Sequence, residues 1–140
     1  MFLHLLKDSE KNIFAETADQ LIKADQVLHE LEIELRNSLA KEMSITWPVG
    51  QDRDWEKLKR NLSGIDSEVS RRVMLLELCG VAFADLDLDA SERSLLADVC
   101  SALRLPQSEL EACLEFAPRA HALYTEGQRL VLGILASREQ

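Results

Sequence analysis

Two stretches of the chain, sixty positions apart, share the pattern Ala-Asp-x-x-Leu-x-x-x-Glu. The first is Ala24, Asp25, Leu28 and Glu32; the second is Ala84, Asp85, Leu88 and Glu92. Apolar positions keep step around them without a gap. Ile13 pairs with Val73, Phe14 with Met74, Ala18 with Leu78, Leu21 with Val81, Leu35 with Leu95, Leu39 with Val99 and Met43 with Leu103. Self-similarity at a fixed offset means one supersecondary unit used twice. Here the unit expected is a helix, a short acidic loop and a second helix. The expectation is a single domain over 1–140, with pseudo-repeats at about 8–43 and 67–103.

Charge and composition narrow the function. The chain carries 25 acidic against 16 basic side chains, net -9, and has no Lys/Arg cluster. Such a surface repels phosphate backbones and anionic membranes. Nucleic acid and direct membrane insertion are therefore excluded as expectations, while cations and basic protein surfaces are favoured. The run Met1–Leu6 is too short for a signal peptide. No apolar run approaches a membrane span, because Glu77 and Asp85 interrupt the longest. Cys79, Cys100 and Cys113 show neither Cys-x-x-Cys pairing nor zinc spacing. They read as small buried hydrophobes in a reducing, cytoplasmic setting.

Hydrophobic periodicity of 3–4 residues dominates and strand-like alternation is missing. The fold class expected is all-α, a compact bundle of six or seven helices. Helix one should run from Asp8 or Ser9 to Ala24, and helix two from Glu30 to Met43. Trp47-Pro48 and Gly50 mark a loop. A short helix from Trp55 to Leu62 follows, capped by Asp52 or Asp54 and stopped at Gly64. Trp47 and Trp55 read as lids over the core. The next helix opens at Asp66 or Ser67 and reaches Ala84. It is apolar almost all round, so neighbours should bury it. Gly80 within it suggests a close helix–helix approach. Ala90–Leu103 is its partner. Two further helices are expected: one from Ser108 to just before Pro118, and one opened by the capping-box pattern Thr125-Glu126-Gly127-Gln128.

Asp85, Asp87 and Asp89 alternate like the start of an EF-hand loop, but Ala90 and Leu96 stand where its Gly and bidentate Glu belong. Asp89-Ala90-Ser91-Glu92 reads instead as a capping box. Asp25 and Asp85 sit at helix C-termini, where the dipole disfavours an anion. Two readings stand for these loops: capping with surface charge, or a site in which Asp25 with Glu32, and Asp85, Asp87 and Asp89 with Glu92, hold a hard divalent cation such as calcium or magnesium. His29 replaces Asp89 in the first copy and weakens both.

The segment Met74-Leu75-Leu76-Glu77-Leu78 through Phe83-Ala84-Asp85, then Leu88, Glu92, Leu95-Leu96 and Leu103-Arg104-Leu105, resembles the tellurite-resistance TerB-like domain. Lys11, Phe14, Ala18, Leu21, Ala24-Asp25 and Glu32 are similar to that family's first motif copy. The resemblance spans most of 8–117. It implies a compact all-α, non-catalytic domain of bacterial stress-response systems, with acidic loop residues implicated in divalent-cation binding. Carried over by position, these are Asp25, Glu32, Asp85 and Glu92. The family's Gly after each Asp is Gln26 and Leu86 here, which puts the loop geometry at issue.

No catalytic apparatus is visible. Ser91 and Ser101 lack a neighbouring His, no Gly-rich loop cradles phosphate, and His4, His29 and His121 are isolated in sequence. The expectation is no enzyme, and either a cation-binding module with a protein partner or a purely structural interaction domain, monomeric or homodimeric.

Overall fold

The computed structural model describes residues 1–25, 29–48, 54–83 and 88–133, and within them all side chains except those of 24, 25 and 29–32. A 3-10 turn, Leu3–Leu5, precedes six helices: α1 (Asp8–Asp25), α2 (His29–Met43), α3 (Trp55–Ser63), α4 (Glu68–Ala82), α5 (Ala90–Ala102) and α6 (Gln107–Leu132). No strand occurs among the described residues. Nor is any described helix long and apolar enough to cross a membrane.

Helix α4 is the hub and packs against α1, α5, α6 and the 3-10 turn. Its apolar run explains this. Val73, Met74, Leu75, Leu78, Cys79, Val81 and Ala82 are all buried, so α4 needs neighbours on nearly every side. Phe14, Ala18 and Leu21 of α1, Leu96 and Val99 of α5, and Leu110 and Leu114 of α6 complete one continuous core. Both tryptophans lie half-buried against it. Trp47 Nε1 also donates to the buried Asp19 carboxylate at 3.0 Å, beside Arg36 Nε at 2.9 Å.

The helix ends follow local chemistry. Asp54 caps α3 by accepting from Glu56 N, and Gly64 closes it. Ser67 caps α4 by accepting from Ser70 N at 3.2 Å.

Several features recur sixty residues apart. Helices α1 and α4 begin at Asp8 and Glu68. Among the described residues, Ser44 and Arg104 are the non-glycine positions with positive φ, at 56° and 60°. Each ends its helix in a Schellman motif: Ile45 N donates to Ala40 O at 3.0 Å, and Leu105 N to Cys100 O at 3.1 Å. A basic side chain from the first helix reaches the end of the second in both halves. Lys11 Nζ donates to Met43 O at 3.1 Å, and Arg71 Nη1 to Leu103 O at 3.5 Å. Glu10 and Ser70 stand at matching third positions of α1 and α4. They meet directly, Ser70 Oγ donating to Glu10 Oε1 at 2.9 Å in the buried interior.

Two sequence expectations are corrected. The helices expected on either side of Pro118 are one continuous α6, with no new start at Thr125. Packing of Leu110, Leu114 and Ala117 anchors the helix up to the proline. At that turn Arg119 Nε donates to Glu115 O at 3.3 Å, one carbonyl past the Leu114 O that loses its donor to the proline. Gly80 does not serve a close helix approach: a Cβ there would meet nothing within 4 Å. Separately, His4 and His121, far apart in sequence, line the same groove.

Candidate functional site

Asp89 and Glu92 are the two expected site residues whose side chains are described, and they come together at the start of α5. Asp89 Oδ1 accepts from Glu92 N at 2.8 Å and from Ser91 Oγ at 2.7 Å. Glu92 Oε1 accepts in return from Asp89 N at 3.4 Å. This is the reciprocal capping box read from the Asp-x-x-Glu spacing. The Glu92 backbone N–H and the Ser91 hydroxyl stabilise the charged carboxylate and hold the Asp89 pKa below its ordinary value. Glu92 is only 2% exposed, which is rare for a glutamate and shows that this side chain belongs to the folded framework. Asp85 and Asp87 lie outside the described residues, as do the side chains of Asp25 and Glu32. Among the described residues, no group of three or more His, Cys, Asp or Glu side chains is arranged to hold a metal ion.

A second feature has no counterpart in the sequence motifs. An open groove of about 510 Å³ runs between the 3-10 turn, α2, α4 and α6. Leu76, Gly80, Phe116, Ala117, Ala120 and Tyr124 give it an apolar lining, with Glu42, Glu77, His4 and His121 around them. The Met1 ammonium sits at its edge, 2.6 Å from Glu42 Oε2 and 3.3 Å from Glu77 Oε1. Burial works against that ammonium, but the hydrogen bond to Glu42 and the charge of Glu77 outweigh it and raise its pKa. Gly80 keeps the groove open, since any side chain there would enter it.

The groove wall continues along α6 past the bundle. Beyond Ala117 no residue of α6 is buried. Phe116, Ala120, Leu123 and Leu130 share one face at alternating spacings that fit a helical stripe. Leu123 is 68% and Leu130 68% exposed. A row of large apolar side chains in water marks a contact surface. Spacing in the last third of the chain contains this signal, but the expected break at Pro118 hides it.

The three cysteines lie in or against the hydrophobic core. Cys79 of α4 is buried in the core and Cys113 of α6 is half-buried against it. Cys100 Sγ is turned to the Leu105 and Pro106 carbonyls, 3.4 Å from each.

The chain was compared with known proteins. No curated protein and no solved structure matches it. The family model described as tellurite resistance protein TerB matches residues 7–114, which spans α1 to α5 and the first third of α6 and leaves the exposed end of α6 outside. Over three-quarters of its length, then, this chain belongs to the TerB tellurite-resistance family.

Proposed function

We propose that this protein is a non-catalytic, cytoplasmic TerB-like module of a bacterial stress-response system that works by holding a protein partner. The observation that carries this reading is the apolar row of α6, which leaves the bundle and extends the groove wall. The partner that fits is an amphipathic helix with basic residues flanking its apolar stripe. Its stripe lies against Leu76, Phe116, Ala120 and Leu123, and its basic flanks meet Glu42, Glu77 and the net charge of -9. A labelled synthetic helix of Leu and Lys, with Leu at i, i+3, i+4 and i+7, is the probe. Fluorescence anisotropy should show it binding at least about tenfold tighter than a scrambled peptide or a Glu-for-Lys peptide. Leu123→Asp should weaken it comparably. Equal binding of the scrambled peptide overturns the reading. Dimerisation through this face, seen by sedimentation and lost in Leu123→Asp, assigns the face to a second copy instead.

A second reading adds a ligand at the acidic turn. Asp85, Asp87, Asp89 and Glu92 place four carboxylates within eight residues, which suits a hard divalent cation such as calcium or magnesium. The first turn, with Asp25, Glu32 and His29, is the weaker site. Calorimetric titration with either ion at millimolar concentration should give binding that Asp85→Asn with Glu92→Gln removes. Silence from the unmodified protein leaves the capping role alone.

We also infer that the sixty-residue correspondence is an internal duplication. The paired left-handed residues, Schellman bonds and basic tethers support it. An experimental structure in which 26–28 and 86–88 follow different backbone paths speaks against it.

A further inference from the structure

We propose that Glu42 and Glu77 form a receptor for a primary ammonium, filled in this structure by Met1 of the same chain, and that a lysine of the partner helix takes Met1's place on binding. The two carboxylates come from different helices, Glu42 from α2 and Glu77 from α4, and converge on one nitrogen. The Met1 ammonium donates to Glu42 Oε2 at 2.6 Å and lies 3.3 Å from Glu77 Oε1. The same Glu77 oxygen accepts from Phe2 N at 3.0 Å, so the backbone fixes its position. The Glu77 side chain is only 12% exposed. Among the described residues, no Lys or Arg side chain forms an ion pair with either carboxylate. Without an ammonium, two negative charges share a partly buried site, an arrangement that draws in a cation.

The cation that fits is a compact one. A single nitrogen meets both carboxylates, and an ammonium presents its donors from one point, where a guanidinium spreads them over a plane. Lysine carries that head on an unbranched apolar stem. The groove beside the carboxylates gives such a stem the apolar contact of Leu76, Phe116 and Ala120.

Met1 also stands where a partner must pass. It lines both the groove and an adjoining hollow of about 370 Å³ bounded by Phe116, Arg119, Leu123 and Tyr124. A helix laid along Leu76, Phe116, Ala120 and Leu123 therefore meets Met1 on its way. The choice of lysine as competitor rests on the partner helix proposed above; the receptor itself does not. Met1 thus acts as a plug, and the partner's apparent affinity is reduced by the fraction of chains in which the receptor is free.

The test uses the full chain with isotope-labelled methionine methyls, unmodified and N-terminally acetylated, since acetylation removes the terminal charge. The chain has three methionines, and Met43 and Met74, 1% and 0% exposed, are internal references that also report whether each form is folded. Adding the leucine–lysine helix to the unmodified chain should shift the Met1 signal and leave the other two in place. Anisotropy should show the helix binding the acetylated chain about tenfold tighter, the gain that follows if Met1 fills the receptor about nine-tenths of the time. Trimethylating the lysines keeps the charge, removes the N–H donors and should abolish that gain. Equal binding to both forms with an unmoved Met1 signal overturns this proposal and leaves the partner helix standing. Where no helix binds at all, hexylammonium decides the receptor alone. In calorimetry it should bind the acetylated chain saturably at millimolar concentration, and Glu42→Gln with Glu77→Gln should abolish that binding. Absence of saturable binding to the folded acetylated chain overturns the proposal.

Discussion

At the scale of single residues, stability concentrates in a few fully buried side chains. Leu78 is the plainest. It is 0% exposed at the middle of the hub helix, and Ala18 occupies the matching position in α1, also at 0%. Leu78→Ala removes three carbons from a packed interior and should lower unfolding free energy by about 2–5 kcal/mol in urea titration. A loss under about 0.5 kcal/mol, the mark of a surface position, would place the core elsewhere. Asp89 acts through charge. Its folded pKa is depressed below the ordinary 3.8. Its contribution is therefore complete above that value and disappears as pH falls through the depressed one. Thermal melts from pH 7 to pH 2 should show this loss in the unmodified protein. Asp89→Asn keeps a neutral cap, so this component of the acid sensitivity should vanish.

At the scale of elements, the sequence was legible wherever a local signal and tertiary packing agree. Both ends of α3 and the Ser67 and Asp89 caps follow from residue types that satisfy orphan N–H and C=O groups in any context. The capping half of the acidic turn was legible for the same reason. Helix α6 was misread because Pro118 and Thr125-Glu126-Gly127-Gln128 are local stop and start signals, while the packing of Leu110, Leu114 and Ala117 is not local. Gly80 was misread because helical spacing says which residue lies on a face, not whether a neighbour faces it. The shared groove of His4 and His121 depends on which elements pair, which one chain's periodicity does not encode. Pro118 carries its own prediction. A helix-interior proline costs about 3 kcal/mol, and Pro118→Ala should recover roughly 1–3 kcal/mol in thermal unfolding. A loss instead would show that the ring of Pro118 itself contributes to the packing of α6.

At the scale of the whole molecule, two properties oppose each other. The net charge of -9 pushes the folded chain apart, while the bare end of α6 invites association. Raising sodium chloride from about 10 mM to about 200 mM shortens the screening length toward 10 Å or less. The melting temperature should rise over that range, and a flat response would show that the charges are already paired. The left-handed ends of α2 and α5 hold a reserve that the molecule does not use. An L-residue in that conformation costs roughly 1–2 kcal/mol, which glycine avoids. Ser44, exposed and at φ 56°, should yield part of that sum on Ser44→Gly, about 0.5–1 kcal/mol in urea titration. Arg104→Gly should gain little, because Arg104 Nη2 holds Ile65 O at 3.1 Å and the tether goes with the side chain. Two positions alike in backbone thus differ in evolvability: one is open to improvement by a single substitution, and the other is locked by the anchor it has acquired.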